Sequence, residues 1–147
     1  MLDITYEAVP DLTPGQVVDV TEDRGQLRVR LDQDAPLLCV LERLNVEIAE
    51  LLATGHWFQL WRDEIISSAT PGCPLCIRFI PLRLDDDPVV LFEGRGILKY
   101  YVDPGIDVRH FAASITCVVR SLLDGGQWFQ MYAGEIIDHS PEPVIKV

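Results

Sequence analysis

The residues with the chemistry to react are few, and their spacing decides what each could do. Cys73-Pro74-Leu75-Cys76 has the CxxC spacing of dithiol redox sites and zinc sites. Leu75, Ile77 and Phe79 alternate with Cys76 and Arg78, which places Cys76 on a strand. An extended chain holds residues three apart at about 10 Å between Cα atoms, beyond the roughly 4.4–6.8 Å of a disulfide. A structural zinc needs two more ligands, and the sequence has no second CxxC and no HxxxH. His56, His110 and His139 stand far apart, and no serine or cysteine sits in a nucleophile elbow. Asp85-Asp86-Asp87 lacks the alternating ligands and glycine of a calcium loop and reads as a solvated acidic loop. A GxxxxGK phosphate loop is absent. No catalytic residue, metal or cofactor is therefore assigned, and the chain reads as better suited to binding than to catalysis.

The side chains suited to binding are aromatic and polar. Trp57, Gln59 and Trp61 alternate with Phe58 and Leu60, and Trp128, Gln130 and Tyr132 alternate with Phe129 and Met131. Both faces of each strand are thus partly apolar, while a helix on one side of a sheet covers only one of them. The plain expectation is burial of the tryptophan face between two parts of the chain. The functional one is a contact surface of Trp57, Gln59, Trp61, Trp128, Gln130 and Tyr132, whose rings give large rigid area with a polar handle. Arg24 beside Glu22 and Arg95 beside Glu93 flank two predicted hairpin turns and form a candidate pair of cationic tips for an anionic ligand.

These positions recur because the sequence repeats. Gly55–Ile66 aligned with Gly126–Ile137 gives seven identities in twelve pairs at an offset of 71. The same offset aligns Arg24-Gly25 with Arg95-Gly96 and Leu51-Leu52 with Leu122-Leu123, without a gap. The reading is a tandem duplication of a βββαβ unit, residues 1–71 and 72–142, with a tail at 143–147. The strands are predicted to form antiparallel sheets. Gly25 and Gly96 suit the positive-φ site of bulged hairpin turns. Leu37, Leu41, Leu44, Ile48 and Leu51 follow helical spacing, as do Val108, Ala112, Ile115, Val119 and Leu122 with Asp107 as amino-terminal cap. Gly55 and Gly126 are placed as left-handed residues at the helix ends. Each half is too small for a robust core of its own, so the two are expected to share one α+β domain about a pseudo-twofold axis.

Composition limits the function classes. With 23 acidic against 12 basic residues the formal charge is −11, which argues against a nucleic-acid backbone as partner. The charge serves solubility, and it also suits a protein partner, a basic one in particular. No apolar run spans a membrane, no secretory leader is read at the amino terminus, and four scattered cysteines suit a reducing compartment, the cytoplasm. In size, acidity and α+β pattern the chain resembles small secretion chaperones and the immunity proteins that neutralise basic toxins; that similarity of class implies a protein-binding role. The expected function is a non-catalytic protein-binding or regulatory module. The alternatives are a small-molecule binder or enzyme with a pocket between the repeats lined by Trp57, Trp61, Trp128 and Tyr132, and a structural subunit of a homo-oligomer, a homodimer in the simplest case.

Overall fold

Alternating apolar residues, two-residue turns and two amphipathic helices produce ten strands and two helices in a computed structural model that describes residues 2–54, 57–126 and 128–138. The order is β1 (Asp3–Val9), β2 (Val18–Asp23), β3 (Gln26–Asp32), α1 (Leu37–Ala53), β4 (Trp57–Trp61), β5 (Glu64–Ser67), β6 (Cys76–Pro81), β7 (Val89–Gly94), β8 (Ile97–Val102), α2 (Val108–Asp124), β9 (Trp128–Tyr132) and β10 (Glu135–Asp138). The class is α+β, as predicted. Each predicted βββαβ unit carries one strand more, β5 or β10, so the observed run is βββαββ twice over.

The strands form three sheets, β1-β3-β2, β6-β8-β7 and β10-β9-β4-β5. The four-stranded sheet is antiparallel throughout, and β4 pairs with β9 to join the two hairpins. The three-stranded sheets are mixed, against the antiparallel expectation: β1 runs parallel to β3, and β6 to β8. The loop 10–17 carries the chain past the end of β3 to β2 on its far side. That is two strand spacings, or about 10 Å, which eight residues cross easily.

Strand register also corrects the gap-free alignment. Val29 and Tyr100 are 71 apart, yet they face Tyr6 and Phe79, which are 73 apart. The first strands are therefore offset by 73, and the path from Tyr6 to Val18 is two residues longer than the equivalent path from Phe79 to Val89. Leu2 and Leu75, also 73 apart, are both buried, as are Tyr6 and Phe79. All later elements keep the spacing of 71, from Val18 and Val89 through Glu64 and Glu135.

The hairpins turn on two residues, without the predicted bulge. Asp23 faces Gln26 across Arg24 and Gly25, whose φ values of 30° and 84° are those of a primed turn that matches strand twist. Gly96, at φ 73°, serves the β7–β8 hairpin and has a further reason to lack a side chain: a Cβ there would lie 2.7 Å from Cys73 Sγ and 2.9 Å from Cys73 O. Asp107 caps α2 as predicted, accepting from His110 N at 2.7 Å, and Gly126 follows the helix at φ 71°. Gly55, His56, Gln127, His139 and the tail 143–147 lie outside the described residues.

Each helix covers the edge of the more distant three-stranded sheet, α1 against β6 and α2 against β1. Asn45 on α1 binds the free backbone of β6 like a missing strand. Its Nδ2 donates to Phe79 O at 2.9 Å and its Oδ1 accepts from Phe79 N at 2.7 Å. Thr116, 71 positions on, accepts from Tyr6 N at 3.2 Å. The core between these layers centres on Phe79, stacked on Tyr100 at 5.1 Å and edge-on to Phe111 and Tyr6. Burial pushes the Tyr6 and Tyr100 phenols well above the usual tyrosine range.

Candidate interaction surface

Trp57, Gln59, Trp128 and Gln130 do not reach the surface: their exposures are 2, 1, 4 and 0%. They point from the four-stranded sheet into the core, where Trp57 and Trp128 meet edge-to-face with ring centres 6.4 Å apart. Of the six predicted contact residues on these strands only Trp61 and Tyr132 are partly exposed, and the Arg62 guanidinium covers the Trp61 ring at 5.3 Å.

The two glutamines hold the sheets together. Gln59 Nε2 donates to Gly94 O at 2.8 Å and Gln59 Oε1 accepts from Gly96 N at 2.7 Å, so one buried amide satisfies both sides of the Arg95-Gly96 turn. Gln130 instead donates to the Glu22 carboxylate, and its Oε1 has no partner among the described residues.

The arginines proposed as cationic tips are already engaged. Arg24 pairs with Glu135 at 2.5 Å, and Arg95 pairs with Glu64 through two bonds of 2.6 and 3.0 Å. The Glu64 carboxyl is held below its ordinary range by hydrogen bonds from Arg95. Turn tip and sheet edge are thus cross-linked twice, and neither guanidinium waits for an outside anion. Cys76 lies on β6 as expected, while Cys73 in the preceding turn directs its Sγ to Arg95 O at 3.1 Å.

A cavity of about 30 Å³ lies among Tyr6, Trp57, Tyr100 and Trp128. It has room for a water or two, against the several hundred Å³ typical of a small-molecule site. Trp57 Nε1 has no partner among the described residues.

Because the tryptophans face inward, the alternate residues of the same strands face outward. Phe58 and Phe129 stand directly opposite each other at the centre of the sheet. Leu60 pairs with Ile65 on one side and Met131 with Ile136 on the other. Ile65 and Ile136 are 55 and 60% exposed, Met131 39%. An antiparallel sheet with one wet side normally carries polar residues there; this one carries six large apolar ones. The sequence held the signal, since both faces of β4 and β9 are apolar and a helix can cover only one of them. Which side could not be read until the helices were placed.

The chain matches no protein-family model, no curated protein and no solved structure.

Proposed function

We propose that this protein is a non-catalytic protein-binding or regulatory module, a small acidic accessory protein of the cytoplasm, built by duplication of a βββαββ unit about a pseudo-twofold axis. It holds a basic protein partner on the outer face of the four-stranded sheet. The observation that carries this reading is the apolar outer face of Phe58, Leu60, Ile65, Phe129, Met131 and Ile136, on which Ile65, Met131 and Ile136 are exposed among the described residues and the other three half-buried; patches of this kind on a folded chain mark contact sites. The formal charge of −11 supports a basic occupant by complementarity, and it disfavours a second equally acidic copy. The duplication is supported by the 71-residue spacing of equivalent elements and by the exchanged Arg24–Glu135 and Arg95–Glu64 pairs.

The test is purification from the native organism at low salt, identification of stoichiometric co-eluting protein, and titration of that partner against wild type and an Ile65→Asp, Ile136→Asp double variant. Both sites are exposed and on edge strands, so the variant should stay folded at a cost of about 1–3 kcal/mol from the weaker strand preference of Asp and the lost cross-strand pairs. Loss of two buried isoleucine contacts, each about 1.5–3 kcal/mol, should weaken binding at least a hundredfold, and added salt should weaken the wild-type complex. A partner that binds the variant equally well overturns the reading. So does a bound metabolite without a protein, or a stable homodimer that the same variant dissociates.

A further inference from the structure

The two three-stranded sheets share one backbone plan, so their outer faces can be compared position by position. On β1-β3-β2 two rows run across the strands, Thr5–Arg28–Thr21 and Glu7–Arg30–Asp19. Each arginine there has a carboxylate: Arg30 meets Asp19 at 2.5 Å and Arg28 meets Glu7 at 3.4 Å. Two cations and two anions leave these six positions neutral. On β6-β8-β7 the equivalent rows are Arg78–Lys99–Phe92 and Ile80–Tyr101–Val90. Two cations are present again, as Arg78 and Lys99, but Ile80 stands in the place of Glu7 and Val90 in the place of Asp19, so the six positions carry two positive charges and no negative one. Neither Arg78 nor Lys99 forms an ion pair among the described residues. The face is open: Phe92 is 53% exposed, Val90 39%, and Leu82 at its end 49%.

An exposed aromatic thus stands beside two cations without an ion pair among the described residues, in a chain with 23 acidic residues. We propose that the outer face of β6-β8-β7 is a second binding site, of opposite sign to the rest of the molecule, and that it takes an acidic peptide segment of a protein partner bearing aromatic or aliphatic side chains. Arg78 and Lys99 receive carboxylates, as Arg28 and Arg30 do from their own sheet. Phe92, Tyr101, Val90 and Ile80 receive the apolar side chains between them. A peptide with a few carboxylates fits two cations. A nucleic-acid strand would bring a phosphate at every residue against a strongly acidic protein. The site is independent of the four-stranded face, and its occupant has the opposite charge.

The test is selection of binders from a phage-displayed library of random dodecapeptides on the full-length protein, in parallel with an Arg78→Glu, Lys99→Glu variant and the Ile65→Asp, Ile136→Asp variant. We expect enriched sequences to combine Asp or Glu with Phe, Trp or Leu. They should bind the charge-reversed variant at least tenfold more weakly, bind the isoleucine variant unchanged, and perturb the amide resonances of β6, β7 and β8. Phe92→Ser should weaken them independently of charge. If the double reversal lowers the melting temperature, Lys99→Gln and Arg78→Gln separate charge from folding. Failure to enrich acidic peptides overturns the proposal, as does equal binding to the charge-reversed variant. Tighter binding of a fifteen-residue oligothymidine, lost in that variant, overturns the peptide assignment in favour of nucleic acid.

Discussion

Replacing Gln59 by leucine should cost far more than replacing Gln130 by leucine, although the two residues occupy equivalent positions on β4 and β9 and are equally buried. Gln59 satisfies two backbone groups of one turn, Gly94 O and Gly96 N. Its loss leaves both without a partner beneath a packed sheet. At about 1–3 kcal/mol for each orphaned group the cost is about 2–5 kcal/mol after some relaxation. Among the described residues the Gln130 side chain makes one bond, to the half-buried Glu22 carboxylate, and its Oε1 has no partner. The Gln130→Leu substitution would remove one bond and one orphan together, and Glu22 can turn to water, so the net cost is within about 1 kcal/mol. Urea unfolding monitored by tryptophan fluorescence measures both. With a slope of about 2 kcal/mol per molar, Gln59→Leu should move the midpoint by roughly 1–2.5 M and Gln130→Leu by less than about 0.5 M. Equal shifts would refute the reasoning, because they would mean that the hydrogen-bond inventory of the two amides does not set their worth.

Trp57→Ala and Trp128→Ala should each cost about 3–5 kcal/mol through lost volume and the broken edge-to-face pair, read by the same unfolding assay; wild-type stability in either would contradict its burial. Gly25→Val and Gly96→Val should each lower the melting temperature, since both glycines take positive φ and a Cβ on Gly96 would also meet Cys73; an unchanged melting temperature in either would contradict this. The lowered pKa of Glu64 makes its pairing with Arg95 a stabilising contribution that is complete above the ordinary carboxylate value of 4.5 and is lost as pH falls through the lower folded value. Glu64→Gln should therefore flatten the loss of stability with acid below about pH 4.5; a variant that follows the wild-type curve would show the pair to be inert.

Much of the fold was written in local patterns. Both helices, the Asp107 cap, the positive φ of Gly25 and Gly96 and the alternation of the Trp-Phe-Gln strands follow from spacing and residue type alone. The strands β5 and β10 were hidden for a physical reason. Each is four residues long, and the β4–β5 turn is made by Arg62 and Asp63 at φ 47° and 67°, with no glycine to announce it. The identity of Glu64-Ile65-Ile66 with Glu135-Ile136-Ile137 was visible, but identity does not specify conformation. The parallel pairing of β1 with β3 is set by how loop 10–17 crosses, which periodicity does not encode. The ion pairs of Arg24 and Arg95 join residues 111 and 31 positions apart, and only the folded geometry brings them together. The outward differences between Asp19 and Val90 and between Thr21 and Phe92 were readable at the 71-residue spacing; their meaning was not, because the correct partners on β1 and β6 require the spacing of 73.

The covering of β1 by α2 bears on synthesis. Tyr6 finds Thr116 only after 110 further residues have been made. Until then a nascent chain holding β1, β2 and β3 presents a bare strand edge, the kind of surface that templates association with other chains. Contacts this distant along the chain also slow folding, because long loops must close before they are rewarded. A product that stops short of α2 would keep that edge open permanently. The folded chain protects it with a helix that is made about a hundred residues after the strand it covers.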